Sequence, residues 1–153
     1  MQATRRILRS MSLDELAPVT SGIEGTWVSL QYGSVEEDLR IAEAANFKLT
    51  HWAKAIADLD EFAALIEALD YVVTVCNTTV HYAGALGKQT LVLAPHIPEW
   101  RYGLTTDRMP WYANVTVLRQ SQLNDWSGVV VEAGKRLGDI FGAGKANFVG
   151  DMP

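Results

Sequence analysis

Residues 69–95 read LDYVVTVCNTTVHYAGALGKQTLVLAP, and this stretch decides the fold. The apolar run Tyr71–Val75 predicts a strand, Thr78–Leu86 a helix that ends at Gly87, and Thr90–Ala94 a second strand. Nearly continuous apolar runs of this length are typical of parallel strands that are covered on both faces. The order strand, turn, helix, strand is one repeat of an open α/β sheet.

The same alternation continues on both sides of this stretch. The five predicted strands are Thr26–Gln31, Phe47–Trp52, Tyr71–Val75, Thr90–Ala94 and Asn114–Leu118. Capping residues predict helix starts at Ser12, at Ser34 with Glu37, at Asp58 and at Asp125, with Pro18 ending the first helix. We therefore predict a doubly wound, mainly parallel five-stranded Rossmann-like sheet in a three-layer α/β/α domain, with strand order 2-1-3-4-5. Residues 95–112 are predicted to form a long, ordered, irregular segment.

Size and charge limit the classes of function. The 153 residues suit one domain over 12–141, preceded by a leader or short helix over 1–11 and followed by a loose tail over 142–153. No apolar run reaches the ~20 residues that span a bilayer. The net charge of −5 and the lack of a basic stripe argue against nucleic acid as a partner. Cys76 is the only cysteine, which suits a cytoplasmic protein without disulfides.

Two turns are predicted to meet at the point where the strand order reverses. They follow strands one and three and carry Gln31-Tyr32-Gly33 and Cys76-Asn77-Thr78-Thr79. Ligands of open α/β sheets bind beyond the strand ends at such a point, and a helix start there favours an anion such as phosphate. The alternatives are an ordinary turn at Gln31 and Gly33 and simple helix capping at Thr78 and Thr79.

Five short segments share an order and spacing with a known family. They are VSLQYG at 28–33, HYAGALGK at 81–88, PEWRY at 98–102, MPWY at 109–112, and LRQ at 118–120 with Asp125-Trp126. In these segments the chain resembles the donor-binding C-terminal domain of heptosyltransferase-like GT-B glycosyltransferases, in the form found at the C-terminus of bacterial tetratricopeptide-repeat proteins. One departure is Asn77, where the family often has Asp, which removes a charge from the turn.

The resemblance implies that the chain binds a nucleoside-diphosphate sugar as substrate, without a metal or other cofactor. The donor-binding residues it implies are Gln31, Gly33, Asn77, Thr78, Thr79, His81 and Arg101. No catalytic residue is assigned, because the acceptor and usually the base lie on an N-terminal domain in this family. An acceptor-binding domain or partner chain is therefore expected. The aromatic residues of 95–112 suggest a surface that such a partner, or a second copy in a homodimer, would cover. The alternative function is a non-catalytic binding or interaction module that kept the fold.

Overall fold

The structure is a computed structural model that describes residues 7–20 and 23–142. Most of the predicted leader and the predicted tail lie outside these residues. The described chain is mixed α/β, as predicted at the level of class. Its helices are α1 (Leu13–Thr20), α2 (Glu36–Ala44), α3 (Ala53–Ala57), α4 (Leu59–Ala68), α5 (Thr78–Ala85) and α6 (Ser127–Phe141). Its strands are β1 (Trp27–Ser29), β2 (Leu49–His51), β3 (Val72–Val75), β4 (Thr90–Ala94), β5 (Arg108–Met109) and β6 (Tyr112–Arg119).

The strands form two sheets, so the prediction of a single five-stranded sheet is wrong. β1 and β2 pair in parallel as one sheet, and the other has the order β3-β4-β6-β5. β3, β4 and β6 are parallel, and the short β5 is antiparallel to β6 at the edge. The predicted pairing of strand one with strand three is the one that is missing. A three-residue strand such as β1 forms few ladder hydrogen bonds, and a cleft lies between it and β3.

The four-stranded sheet is covered on both faces, which explains its continuous apolar strands. All five residues of β4 are buried. On one face Leu91 and Leu93 pack with α1 and α6, through residues such as Val19 and Ala133. On the other face Val92 packs with Val80, Tyr102, Val115 and their neighbours. The alternation follows from the two-residue period of a strand, which sends successive side chains to opposite faces.

The predicted helix starts are confirmed at some positions and wrong at others. At α1, the Glu15 carboxylate accepts from the Ser12 N–H at 2.9 Å, and the Ser12 hydroxyl accepts from the Glu15 N–H at 3.3 Å. The Asp58 carboxylate accepts from two N–H groups at the start of α4. The predicted capping box at Ser34 is wrong, since α2 begins at Glu36 and the Ser34 hydroxyl bonds to the Glu36 side chain instead. Pro18 lies inside α1 and does not end it.

Helix α5 lies unusually close to β6 because residue 84 is a glycine. A Cβ at Gly84 would lie 2.5 Å from the Tyr112 ring. The helix then stops at Gly87, whose φ of +72° is the left-handed conformation that favours glycine. The Lys88 N–H donates to the Ala83 carbonyl at 2.9 Å, which closes the last turn. These contacts fix the C-terminal half of α5 against β6.

The segment between β4 and β6 is held by Arg119 at the end of β6. Its guanidinium donates to the carbonyls of Tyr102 and Thr106, and to that of Gly103 at 3.1 Å. A 3-10 turn over Trp100–Tyr102 and the edge strand β5 lie within this segment. The segment is therefore ordered, as predicted, although it contains more regular structure than predicted.

Candidate functional site

A cleft of about 1020 Å³ separates the two sheets. Residues of β1 and β3 line it from opposite sides, and neither strand has a ladder partner on that side among the described residues. The volume is at the upper end of the range of about 300–1000 Å³ that is typical of small-molecule sites. A second cleft of about 660 Å³ lies where the chain enters β3 and β4, and none of the predicted site residues lines it.

Four of the seven predicted site residues line the cleft between the sheets. They are Gln31, Asn77, Thr78 and Thr79. Gln31 comes two residues after β1, and Asn77 comes two residues after β3, so both turns lie at the carboxyl ends of their strands. Residues of both turns thus line the same cleft, although the strands that carry them are not paired.

The start of α5 forms one end of the cleft. The Asn77 side-chain oxygen accepts from the Thr79 N–H at 3.0 Å and from the Thr74 hydroxyl at 3.1 Å. Asn77 is therefore the N-cap of α5, a role that an aspartate would fill equally well. Thr78 is exposed, whereas Thr79 is 7% exposed. The first N–H groups of a helix and its dipole favour an anion at this position.

Gly33, His81 and Arg101 do not line the cleft. Gly33 has φ of +96°, and the space where its Cβ would project is open. His81 turns toward β6, where its Nδ1 lies 3.4 Å from the Tyr112 hydroxyl. Arg101 lies in the 3-10 turn after β4, paired with the Glu99 carboxylate. Of the seven predicted residues, the structure thus brings four together at the cleft.

Arginines from three distant parts of the chain gather beside the turn that follows β3. Arg9 donates to Glu99 at 2.6 Å, and Arg101 pairs with the other oxygen of the same carboxylate. Arg9 and Arg119 both lie near enough to Cys76 for their charges to act on its thiol. The buried Nε–H groups of Arg101 and Arg119 have no acceptor among the described residues.

Sequence reasoning did not find the contact between Arg9 and Glu99. The two residues are 90 positions apart in the chain, and nothing in the local pattern around either residue indicates the other. Arg9 itself lies in a short 3-10 turn that precedes α1. Only the packing of α1 and α6 on the sheet brings this turn to the carboxyl ends of β3 and β4.

No positive side chain is among the described residues that line the cleft. Lys, Arg and His are absent from its described lining, which includes the carboxylates of Glu24, Asp38 and Asp70. Its walls are mostly apolar, with aromatic residues such as Tyr32, Trp52 and Tyr82. An anion is therefore favoured only at the α5 end, where the first N–H groups of the helix lie, whereas a neutral or aromatic group suits the remainder.

Cys76 is placed next to this site but is unsuited to act as a nucleophile. Burial raises the pKa of its thiol to about 12, despite a hydrogen bond with Tyr102 that acts in the opposite direction. The pKa of Tyr102 is also raised, mainly by burial. Because the thiolate is the reactive form of cysteine, Cys76 stays protonated and inert near neutral pH.

Two tryptophans form an exposed pair on the segment between β4 and β6. Trp100 is 71% exposed and Trp111 is 58% exposed. Their ring centroids lie 6.0 Å apart in an edge-to-face arrangement, and the Arg101 guanidinium carbon lies 6.0 Å from the Trp100 ring. Trp126 is by contrast buried in the core.

Residues 7–20 and 23–142 contain no group of three or more His, Cys, Asp or Glu that could hold a metal ion. Within the same residues, every helix is too short or too polar to cross a lipid bilayer.

Comparison with known proteins gives one similar segment. No protein-family model matches the chain. Protein FlbA from Caulobacter vibrioides is 32% identical to the chain over 117 residues. The match covers 74% of this chain and 19% of FlbA, so the chain spans about a fifth of the length of the curated relative that it matches. The similarity is thus to one segment of a longer protein.

Proposed function

We propose that this chain is a nucleoside-diphosphate-sugar-binding domain, related to the donor half of GT-B glycosyltransferases of the heptosyltransferase-like kind. The observation that carries the proposal is the shared cleft, which Gln31 after β1 and Asn77, Thr78 and Thr79 after β3 all line. The sheet is open between these strands, so a ligand can reach both turns at once. The segments that resemble the family include the turn after β1, and the turn after β3 lies just before the segment HYAGALGK.

The distribution of charge supports a ligand with one anionic end. The start of α5 offers N–H groups, and the arginine group lies beside the turn before it. The rest of the cleft offers apolar walls and the carboxylates of Glu24, Asp38 and Asp70. Carboxylates accept hydrogen bonds from hydroxyl groups, which ribose and sugar rings supply. A sugar nucleotide combines a diphosphate, which suits the α5 end of the cleft, with a base and hydroxylated rings, which suit the apolar and acidic remainder.

In glycosyl transfer, the part of this domain would be electrostatic. Negative charge grows on the diphosphate as its bond to the sugar breaks, and donors fixed in place stabilise that charge. The proposal needs no metal or other cofactor, because the N–H groups at the start of α5 would supply this stabilisation. The acceptor would be positioned by an N-terminal domain or another chain, since positioning supplies much of the rate.

A non-catalytic binding module is the second candidate. Two observations favour it: residue 77 is an asparagine, whose amide cannot act as a base, and His81 faces Tyr112 instead of the cleft. Neither residue then serves as a base. Assay of the purified chain for hydrolysis or transfer of a sugar nucleotide separates the two candidates. Turnover that Thr78→Asp abolishes would support the enzyme, and binding without turnover would support the module.

The exposed Trp100–Trp111 pair suggests where a partner would bind. An acceptor-binding domain, or a second copy of the chain in a homodimer, would cover these rings. The match to one segment of the longer FlbA agrees with a domain that works beside other parts. We propose that the protein is cytoplasmic, because cytoplasmic proteins rarely form disulfides and its single cysteine is buried and free. Light scattering after size exclusion would reveal the homodimer, and a pure monomer would remove it.

Thermal unfolding with nucleoside diphosphates tests the binding proposal. A ligand that binds only the folded state adds about 2.7 kcal/mol at one hundred times its Kd. For a domain of this size that is a rise in Tm of about 5–11 °C. Thr78→Asp places a carboxylate at the α5 start, where it should not harm folding but should repel a diphosphate. The rise in Tm should disappear in this variant.

Thr105→Asp is the matched control, because it makes the same chemical change at an exposed residue outside the cleft lining. It should keep the full rise in Tm. If millimolar UDP, ADP and GDP and their sugar conjugates leave the Tm of the natural chain unchanged, the binding proposal is wrong. A rise that Thr78→Asp retains would place the ligand elsewhere.

A further inference from the structure

Two exposed aromatic side chains line the cleft just beyond the carboxyl ends of β1 and β2. β1 and β2 are parallel and pair Ser29 with His51, so Trp52 follows β2 at the level where the chain leaves β1 toward Tyr32. Both side chains line the cleft. Tyr32 is 82% exposed and Trp52 is 49% exposed, although each borders an apolar space that could take its ring.

Neither ring is part of the hydrophobic core of the described residues. Neither Tyr32 nor Trp52 belongs to the buried clusters or to the hydrophobic residues packed against them. By contrast Tyr82, another aromatic of the cleft, packs edge to face against Phe62 at 5.2 Å. Exposed aromatic rings grouped at one opening are characteristic of binding surfaces, since scattered single residues would not share a site.

We propose that Tyr32 and Trp52 bind the base of the nucleoside diphosphate by stacking, so that the cleft accepts nucleotides with little regard to the identity of the base. The inference rests on the proposed function and adds which part of the ligand each wall binds. Stacking tolerates any base, because every base has a π face. The diphosphate would then lie at the α5 start. The ribose hydroxyls would face Asp38, a residue of α2 that also lines the cleft.

The groups that line this end of the cleft agree with stacking as the main source of affinity. Discrimination among bases requires hydrogen-bonding groups aimed at the base edge, most often the two-pronged donors of Arg, Asn or Gln. Among the described lining residues, Gln31 and Asn77 are the only ones of these types. Asn77 is engaged as the cap of α5, and Gln31 is exposed in its turn. Among the two-pronged side chains of the described lining, Gln31 is therefore left to read a base edge in this way, whereas two aromatic faces are available for stacking.

Titration calorimetry with inorganic pyrophosphate, UDP and ADP separates the two walls. The affinity for pyrophosphate measures binding at the α5 end alone. The gain in affinity from pyrophosphate to a nucleotide measures the contribution of the nucleoside, including its base. We expect UDP and ADP to bind about 5- to 150-fold more tightly than pyrophosphate, the effect that stacking of one base gives. UDP and ADP should differ from each other by less than tenfold. Trp52→Ala and Tyr32→Ala should each lose a large part of the gain and leave the affinity for pyrophosphate unchanged.

Conservative and distant variants complete the test. Trp52→Phe and Tyr32→Phe keep a ring and should retain most of the gain. Trp111→Ala removes an exposed tryptophan outside the cleft lining and should change nothing. Nucleotides should quench tryptophan fluorescence, pyrophosphate should not, and the quenching should be lost in Trp52→Phe. These variants alter exposed side chains, so their folding is readily verified by circular dichroism.

The two proposals fail in different ways. If neither pyrophosphate nor nucleotides bind, the proposed function itself is wrong. If nucleotides bind and both alanine variants keep natural affinity, the function stands and the stacking inference is overturned. A preference of more than one hundredfold for one base would also overturn it, because such a ratio requires reading of the base edge.

Discussion

Replacing Gly84 by alanine tests the contact that fixes α5 on the sheet. The added Cβ would lie 2.5 Å from both Cγ and Cδ2 of Tyr112 and 3.0 Å from Cδ1. These atoms belong to a rigid ring on β6, so the ring itself has to move. Its hydroxyl lies 3.4 Å from His81 Nδ1, and movement of the ring would disturb that contact.

The expected magnitude is the difference between two opposing effects. Alanine in place of glycine inside a helix gains up to about 1 kcal/mol of helix propensity. Overpacking of a well-packed site costs about 1–3 kcal/mol, and a clash with two ring atoms belongs in the upper part of that range. The net loss is then about 1–2 kcal/mol of unfolding free energy. For a domain of this size the Tm should fall by about 2–8 °C.

Urea unfolding followed by circular dichroism gives the free energy directly. The matched control is Gly138→Ala in α6, where the space for a Cβ is open and only the gain in helix propensity remains. The unfolding free energy of Gly138→Ala should be higher than that of the natural chain by several tenths of a kcal/mol. In a Tyr112→Ala background, Gly84→Ala should become neutral or stabilising, because the ring is gone. If Gly84→Ala is as stable as Gly138→Ala in the natural background, the close approach of α5 to β6 is refuted.

Three further predictions concern groups near the site and the last helix. Asn77→Ala should cost about 1 kcal/mol in urea unfolding by removing the cap of α5, whereas Asn77→Asp should keep stability and weaken nucleotide binding. Cys76 should resist iodoacetamide at pH 8 in the folded protein and react at the rate of unfolding, since burial raises its pKa to about 12. Hydrogen bonds from the Ser127 hydroxyl and N–H hold the pKa of Asp125 below its ordinary value. These bonds therefore stabilise the folded state at pH values above the Asp125 pKa of the unfolded chain. The stabilisation is lost as the pH falls through the Asp125 pKa of the folded state. NMR titration should show the Asp125 pKa rising toward its ordinary value in Ser127→Ala.

Local patterns predicted those elements whose cause is local. The bounds of β4 agree with the prediction, and α5 differs by one residue at its end, because an apolar run and a left-handed glycine mark them directly. α3 was missed, since its five residues Ala53–Ala57 carry no capping side chain. β5 was missed because two residues are too few for a periodic pattern.

Contacts between distant residues could not be predicted in the same way. The turns after β1 and β3 were expected to be neighbours from the general rule for open sheets, and they line one cleft. The pairing of Arg9 with Glu99 depends on how α1 packs, which no periodicity reports. The same limit applies to Arg101, whose position beside a carboxylate rather than in the cleft depends on the course of the segment after β4.

The absence of pairing between β1 and β3 explains both why the prediction of a single sheet is wrong and why the cleft exists. Paired strands lie about 4.7–4.9 Å apart, which leaves no space for a ligand between them. Had β1 paired with β3, a ligand could lie only beyond the strand ends, at the turns. Because the two edges are separate, the space continues between the strands, and residues of β3 such as Val73 and Thr74 line it together with the turns. The unpaired N–H and C=O groups of these edges then face the same space. A ligand here can therefore meet backbone donors and acceptors along the strands in addition to the start of α5, which a closed five-stranded sheet would not offer.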